Sequence, residues 1–466
     1  MTHSWSEMGL RIPAILLPKE GTDFRKWAVV ACDQYTSEPD YWADVEKIVG
    51  DAPSALRLML PEYFLGTDEE ESRKAGIRAC MKKYVEDGTL TALPKGCMLV
   101  RRTSLGNSRL GLVIAVDLEA YDCHKGSSSI IRATEGTVAS RIPPRLKIRR
   151  GAPLEMPHII ILIDDPGKTV LERMEEEVLQ SLRAEAGAGG AANGQTGMRF
   201  AYDFDLMKNG GHITGYFIPE QEMDPARKAF SALFDQSTVR YGAGHEFLMA
   251  MGDGNHSLAT AKAAWEEIRQ TIPQEEWESC PARYALCEIE NVHDEGIVFA
   301  PIHRVVFGQG KLTGEQILEE TVQILNEQNG NACFTDVTEE NAEGDDTADG
   351  IKAKNGETVF RIPVLTGGDE RMILIKDPSS GLEVGAVQNA LDELGKREGL
   401  KIDYIHGGDT VMLLTADGTN AGFLMPPMDK FRLFPAVARD GALPRKTFSM
   451  GQACEKRYYI ECRKLT

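Results

Sequence analysis

The stretch MAMGDGNHSLATAK, Met249 to Lys262, carries the strongest structural signal in the chain. Its beginning belongs to an apolar run, Phe247 to Met251, that reads as a strand. The run enters Gly252-Asp253-Gly254-Asn255-His256, and a helix is expected from about Ser257 to Gln270. Two glycines permit a sharp turn and close backbone approach. Asn255 or Ser257 can cap the helix. The N–H groups at such a helix start make a ready anion site, and Asp253 and His256 would project at the strand's C-terminal edge. No Gly-Lys-Ser/Thr follows, so this is not a Walker loop, and Gly-x-Gly alone does not make a dinucleotide fingerprint. The competing reading is a plain strand-to-helix turn, with Asp253 as a structural cap and His256 packed under a loop.

Outward from this turn, strands and helices interleave. Upstream, helices are expected at Pro39 to Val49, Glu69 to Val85 and Thr169 to Ala184, and strands at Cys97 to Arg102, Leu110 to Asp117 and His158 to Ile163. Ala201 to Leu206 and His212 to Ile218 alternate like strands around Asn209-Gly210-Gly211. Downstream, Pro281 to Glu290 alternates, Thr313 to Glu327 and Val384 to Glu398 read as helices, and 357–376 and 409–424 as strands. No regular strand–helix period emerges, so the fold class is α+β or mixed α/β, with elaborated mixed sheets and flanking helices. A main domain over 1–310 and a C-terminal α+β domain over 311–466 are expected. Long surface loops are expected at 184–197 and 336–356, both lacking apolar periodicity.

Composition narrows the partners. Over 466 residues, 52 Lys plus Arg against 71 Asp plus Glu leave a formal charge of 52 − 71 = −19. That balance argues against general affinity for nucleic acid or an anionic membrane, and no apolar run approaches a membrane span. The polar N-terminus lacks the layout of a signal peptide. A cytoplasmic protein acting on a small molecule is expected, of undetermined oligomeric state. The nine cysteines include no Cys-x-x-Cys pair, which disfavours a disulfide framework or structural zinc.

In so acidic a chain, IIRATEGTVASRIPPRLKIRR (130–150) stands out. Glu135 sits among Arg132, Arg141, Arg145, Lys147, Arg149 and Arg150. A carboxylate beside guanidinium groups stays ionised and can serve as a base, while the cations can hold phosphate oxygens in bidentate fashion. A solvated basic strand or loop, salt-bridged to the acidic body, explains the same residues. Further candidates are Cys32-Asp33-Gln34-Tyr35, Pro301-Ile302-His303-Arg304, His406-Gly407-Gly408-Asp409 and Arg445-Lys446.

The stretches WAVVACDQYTSEPDYW (27–42), RIPPRLKIRRGAPLEMPHIIILIDDP (141–166), GDGNHSLATAK (252–262), PIHRVVFG (301–308) and LPRKTFSMGQACEKRYYIECRK (443–464) resemble an uncharacterised prokaryotic family catalogued as domain of unknown function 1015. Asp253-Gly254-Asn255-His256-Ser257 is also similar to a turn of the ParB/sulfiredoxin-like fold, which includes nucleotide-dependent free-serine kinases. In those kinases a His-Glu pair supplies a catalytic Glu; here Thr134-Glu135 matches the Glu and not the His, and Ser257 replaces the usual Arg.

These resemblances imply a kinase-like, nucleotide-dependent phosphotransferase using ATP or ADP with Mg²⁺. A phosphate would rest on Gly254, Asn255 and Ser257. His256, with Arg132, Arg141 or Arg304, would steady the transferring group. Glu135 would take a hydroxyl proton from an acceptor such as serine, and Asp253 would help bind the metal. The alternatives are a non-catalytic nucleotide or metabolite sensor and a phosphate-ester or nucleotide hydrolase.

Overall fold

The computed structural model describes residues 2–124, 126–136, 142–187, 197–242, 246–329, 332–336, 351–352, 358–376 and 378–465. Most of the two expected loops, and Arg141, lie outside them. The chain forms two compact units: Met1–Val298 together with Met450–Thr466, and Phe299–Ser449. The division expected at residue 310 thus compares with a break at 298, and the last segment returns to the first unit. The architecture is mixed α/β, with large sheets and flanking helices.

The first unit is built on an eleven-stranded sheet. Its strands are β1 (Leu10–Arg11), β2 (Ala14–Pro18), β3 (Leu90–Ser104), β4 (Asn107–Asp117), β5 (Tyr121–Asp122), β6 (Ile131–Arg132), β7 (Ile160–Ile163), β8 (Arg199–Asp205), β9 (His212–Pro219), β10 (Met249–Asp253) and β11 (Tyr284–Asn291). The order is β8-β9-β3-β4-β11-β7-β10-β6-β5, with β1 on β4 and β2 on β3. Most neighbours run antiparallel, but β11 with β7, β10 with β6 and β6 with β5 are parallel.

Alternation along these strands makes two apolar layers. Leu112, Ile114, Cys287 and Ile289 face one cluster, and Val113 and Leu286 face the other. Helices α1 (Pro39–Val49) and α2 (Glu70–Glu86) cover the second face, burying Tyr41, Trp42, Val45 and Val49 at helical spacing, with Ile77, Met81 and Tyr84. Pro39 sits at the first position of α1, where its missing N–H costs nothing.

Part of the basic stretch becomes helix α3 (Ile142–Arg149), where a basic strand or loop was the alternative reading. Pro143 and Pro144 fall in its first turn, where proline is tolerated. Helices α4 (Leu171–Gly187), α5 (Asp224–Tyr241) and α6 (Asn255–Arg269) cover the first face through Met174, Val178, Phe230, Leu233, Leu258 and Trp265.

In the second unit the sheet strands are β12 (His303–Phe307), β13 (Ala332–Asp336), β14 (Ile351–Lys352), β15 (Thr358–Thr366), β16 (Asp369–Lys376), β17 (Lys401–Ile405) and β18 (Asn420–Phe423). They order as β13-β16-β15-β18-β12-β17, with β14 on β15. Helices α7 (Gly314–Asn329) and α8 (Glu383–Glu398) share its apolar core. The strand expected over 409–424 is corrected: Gly408–Thr415 is a helix, burying Val411 and Thr415 four residues apart, and only Asn420–Phe423 is extended. Among the described residues no helix is long and apolar enough to cross a membrane.

Candidate functional site

β10 and α6 form the expected strand–turn–helix, with the helix starting two residues early, at Asn255. Gly252 sits where the β10–β7 register slips between Met251 and Asp253, and a Cβ there would meet Met450 Sδ at 2.6 Å. Gly254 is left-handed at φ +79°, and a Cβ on it would lie 3.1 Å from Ile159 Cα. No side chain caps the helix, contrary to the role expected for Asn255 or Ser257. Asp253 instead accepts the Gly254 N–H through Oδ1 (2.8 Å) and pairs through Oδ2 with Lys456 Nζ (3.0 Å).

β6 runs parallel to β10, with Ile131 opposite Met249 and Arg132 opposite Ala250, and the Thr134 hydroxyl donates to Met251 O at 2.8 Å. This register carries Glu135 to the turn, where its carboxylate accepts from Asn255 Nδ2 at 3.5 Å. The two stretches singled out in the sequence therefore meet. Asn255 is buried, and its Oδ1 has no hydrogen-bond partner among the described residues. His256, half-buried in the first turn, accepts the Thr260 hydroxyl on its carbonyl.

Ser257 faces the other way. Its Oγ lies 2.9 Å from His158 Nε2, and His158 Nδ1 lies 2.6 Å from the Tyr459 hydroxyl. Asp33 is close by. Burial pushes its carboxyl up, but His158, the Gln34 amide, Lys456 and Arg145 outweigh that and hold it below the ordinary aspartate value. Burial pushes the neighbouring Cys32 thiol up to about 12, so it stays protonated. Ser257, His158, Tyr459 and Cys32 edge a cavity of about 350 Å³ whose walls combine Leu58, Leu60, Met81, Ile148 and Met156 with Glu62, Arg145, Arg149 and Glu155.

The expected cations are mostly committed elsewhere. Arg132 is buried, donates to Ser129 O and stacks on Phe247 at 4.4 Å. Arg145 pairs with Glu62, Arg149 with Glu155 (2.6 Å) and Arg150 with Glu267. Arg304 belongs to the second unit, where it is buried and donates to Gln388 and to backbone carbonyls of Ile302, Arg445 and Lys446. Sequence reasoning missed His158, Lys456 and Tyr459. The available signals were a histidine at the mouth of the strand His158–Ile163 and the run Lys456-Arg457-Tyr458-Tyr459.

A magnesium ion, implied by the kinase resemblance, takes oxygen ligands and keeps several waters, using one or two carboxylates plus substrate phosphates. Asp253 and the orphaned Asn255 Oδ1 offer such oxygens, so the residues present fit the ion when phosphates supply the rest. Among the described residues, the one cluster of three metal-ligating side chains is Asp122, Cys123 and His124, not this turn.

The profile of a family described as "Protein of unknown function (DUF1015)" matches residues 16–394, and the chain belongs to that family. No curated protein matches the sequence. Among solved structures, a free serine kinase in complex with AMP aligns with 11% identity and a TM-score of 0.36, over 76% of this chain and 92% of that one. A conserved hypothetical protein from Pyrococcus furiosus aligns with 11% identity and a TM-score of 0.34, over 75% and 90%. SbnI from Staphylococcus aureus, truncated at its C-terminus, aligns with 9% identity and a TM-score of 0.34, over 75% and 87%. Likeness at this distance says nothing of chemistry, which rests on the residues above.

Proposed function

We propose that the first unit is a nucleotide-dependent small-molecule phosphotransferase centred on the start of α6. The observation that carries this reading is the Asn255–Glu135 hydrogen bond, which ties a carboxylate to a helix start. Helix N-termini bind phosphate through exposed N–H groups and the axial dipole. The Gly254–Ser257 turn would hold nucleotide phosphates, with ATP or ADP as the nucleotide. Glu135 would take the proton of an acceptor hydroxyl, and Asn255 orients its carboxylate. His256 and Lys456 would steady the charge on the transferring group. Mg²⁺, when bound, neutralises phosphate charge; Asp253 and Asn255 Oδ1 would hold it. A free hydroxy amino acid such as serine is the acceptor to try first. Phosphoryl transfer asks for positioning and charge neutralisation more than for covalent chemistry.

The test is a thermal-shift titration with ATP and ADP, with and without Mg²⁺, followed by phosphate transfer to a panel of hydroxy acids. The reading expects a nucleotide-dependent rise in midpoint and a phosphorylated acceptor, and Glu135→Gln should lower transfer about 100-fold or more. Absence of both binding and transfer rejects it. Free phosphate without a phosphorylated acceptor would instead mark a hydrolase. A second reading, a nucleotide or metabolite sensor without turnover, is favoured by the commitment of Arg132, Arg145, Arg149 and Arg150 to other groups. It expects binding that survives Glu135→Gln and no product in either form.

A further inference from the structure

The cavity beside the turn holds a hydroxyl–imidazole–phenol chain, and the phosphate reading uses the backbone of Ser257 but none of these three side chains. Ser257 Oγ, His158 Nε2, His158 Nδ1 and the Tyr459 hydroxyl follow one another at 2.9 and 2.6 Å. His158 and Tyr459 are buried, and Ser257, His158 and Tyr459 all line the cavity. The Tyr459 hydroxyl accepts the Cys32 N–H (3.4 Å). In the tautomer that carries its proton on Nδ1, His158 donates to the Tyr459 oxygen. That tautomer leaves Nε2 as an acceptor for the Ser257 proton. A hydroxyl on a base, with the base oriented by a third group, is the arrangement of an activated nucleophile. Cys32, the other nucleophile at the cavity, is disfavoured because its thiol stays protonated.

We propose that Ser257 is a nucleophile for acyl transfer, with His158 as general base and Tyr459 as its positioning residue. The substrate class is a carboxylic ester of small to medium size whose acyl chain fills the cavity of about 350 Å³ among Leu58, Leu60, Met81, Ile148 and Met156. Ser257 Oγ attacks the carbonyl carbon while its proton passes to His158 Nε2. Ser257 stands in the first turn of α6, whose positive dipole end favours the developing oxyanion. The C–O bond to the alcohol breaks, and the alkoxide takes the proton from His158. Water then attacks the acyl-serine and gives a proton to His158, which returns it to Ser257 Oγ as the carboxylic acid leaves. The balance is ester plus water to acid plus alcohol, with no nucleotide, so this activity stands or falls apart from phosphate transfer.

The experiment takes the full chain without nucleotide and treats it with a fluorophosphonate probe, then assays p-nitrophenyl acetate and hexanoate. The expected result is a covalent adduct on the peptide carrying Ser257, p-nitrophenol release that the adduct abolishes, and a higher kcat/KM for the hexanoate. Ser257→Ala should remove adduct and turnover together, and His158→Gln should cut turnover about 100-fold or more. Labelling of the unaltered protein needs no variant to fold. Absence of an adduct at Ser257 in the folded wild-type chain, turnover that survives Ser257→Ala, or a preference for the acetate would each overturn the proposal.

Discussion

The charged stripe across the sheet and the chain beside the cavity are both polar groups taken from water, and they are wired in opposite ways. In the stripe, Arg102, Arg109, Glu288 and Glu290 lie on neighbouring strands β3, β4 and β11 and are buried. Arg457 closes it, donating to Glu288 (2.6 Å) and Glu461 (2.7 Å). There the direct side-chain links run from guanidinium to carboxylate. Beside the cavity the links are hydroxyl to imidazole to phenol, each able to pass or accept a proton, and the end of the chain opens on space. Buried ion pairs are demanding to build and costly to break; exchangeable hydrogen bonds at a cavity wall are weaker and chemically available. The contrast separates what holds this unit together from what can act.

Predictions can break that contrast. Arg457→Ala leaves two buried carboxylates unpaired and should cost about 3–5 kcal/mol in chemical denaturation. A loss near that of an exposed pair would erase the distinction.

Glu290 tests the stripe by pH. Burial, then Glu288 and Asp294, push its carboxyl from 4.5 up to about 8, against the pull of Arg109, whose Nε stands 2.9 Å away. The folded chain therefore keeps a proton that the unfolded chain releases. Its contribution to stability is fully present below 4.5 and falls as pH rises from there to about 8. Glu290→Gln should flatten that slope, read from urea midpoints of both proteins at pH 5 and 8.

Gly254→Ala forces a Cβ into left-handed backbone and against Ile159, and should cost about 1–2 kcal/mol. Tyr459→Phe removes the hydroxyl that meets His158 Nδ1 and the Cys32 N–H and should lower stability by about 1–2 kcal/mol. Ester turnover should fall with it, because His158 loses the partner that fixes its tautomer. A variant that lost stability and kept turnover would put Tyr459 on the structural side. At the bottom, Arg150→Ala should leave the thermal midpoint where it was, since the Arg150–Glu267 pair is solvent-exposed.

Local patterns were legible in the sequence. The helix at Pro39–Val49 matches its expected bounds, and the glycine-rich turn falls between strand and helix as read. Glu135 reaches that turn because a two-residue parallel strand, Ile131–Arg132, pairs with β10, a contact the sequence could suggest only through resemblance. The cations misled because charge alone does not reveal partners. Arg145 and Arg149 are answered by Glu62 and Glu155, carboxylates that no local pattern marked. The chain beside the cavity was invisible for a different reason: Tyr459 and His158 are 301 residues apart in sequence, and only the tertiary fold joins them. Val411 and Thr415 show the remaining limit, since a short β-branched run suits either a strand or one buried helical face.

The final segment, Met450–Thr466, belongs to the first unit although the whole of Phe299–Ser449 precedes it in sequence. During synthesis, then, β11 emerges with Glu288 long before Arg457 exists to pair with it. Glu288 stands without that cation while the second unit is translated. A chain that ends before residue 450 lacks both the cation that pairs with Glu288 and the phenol that meets His158.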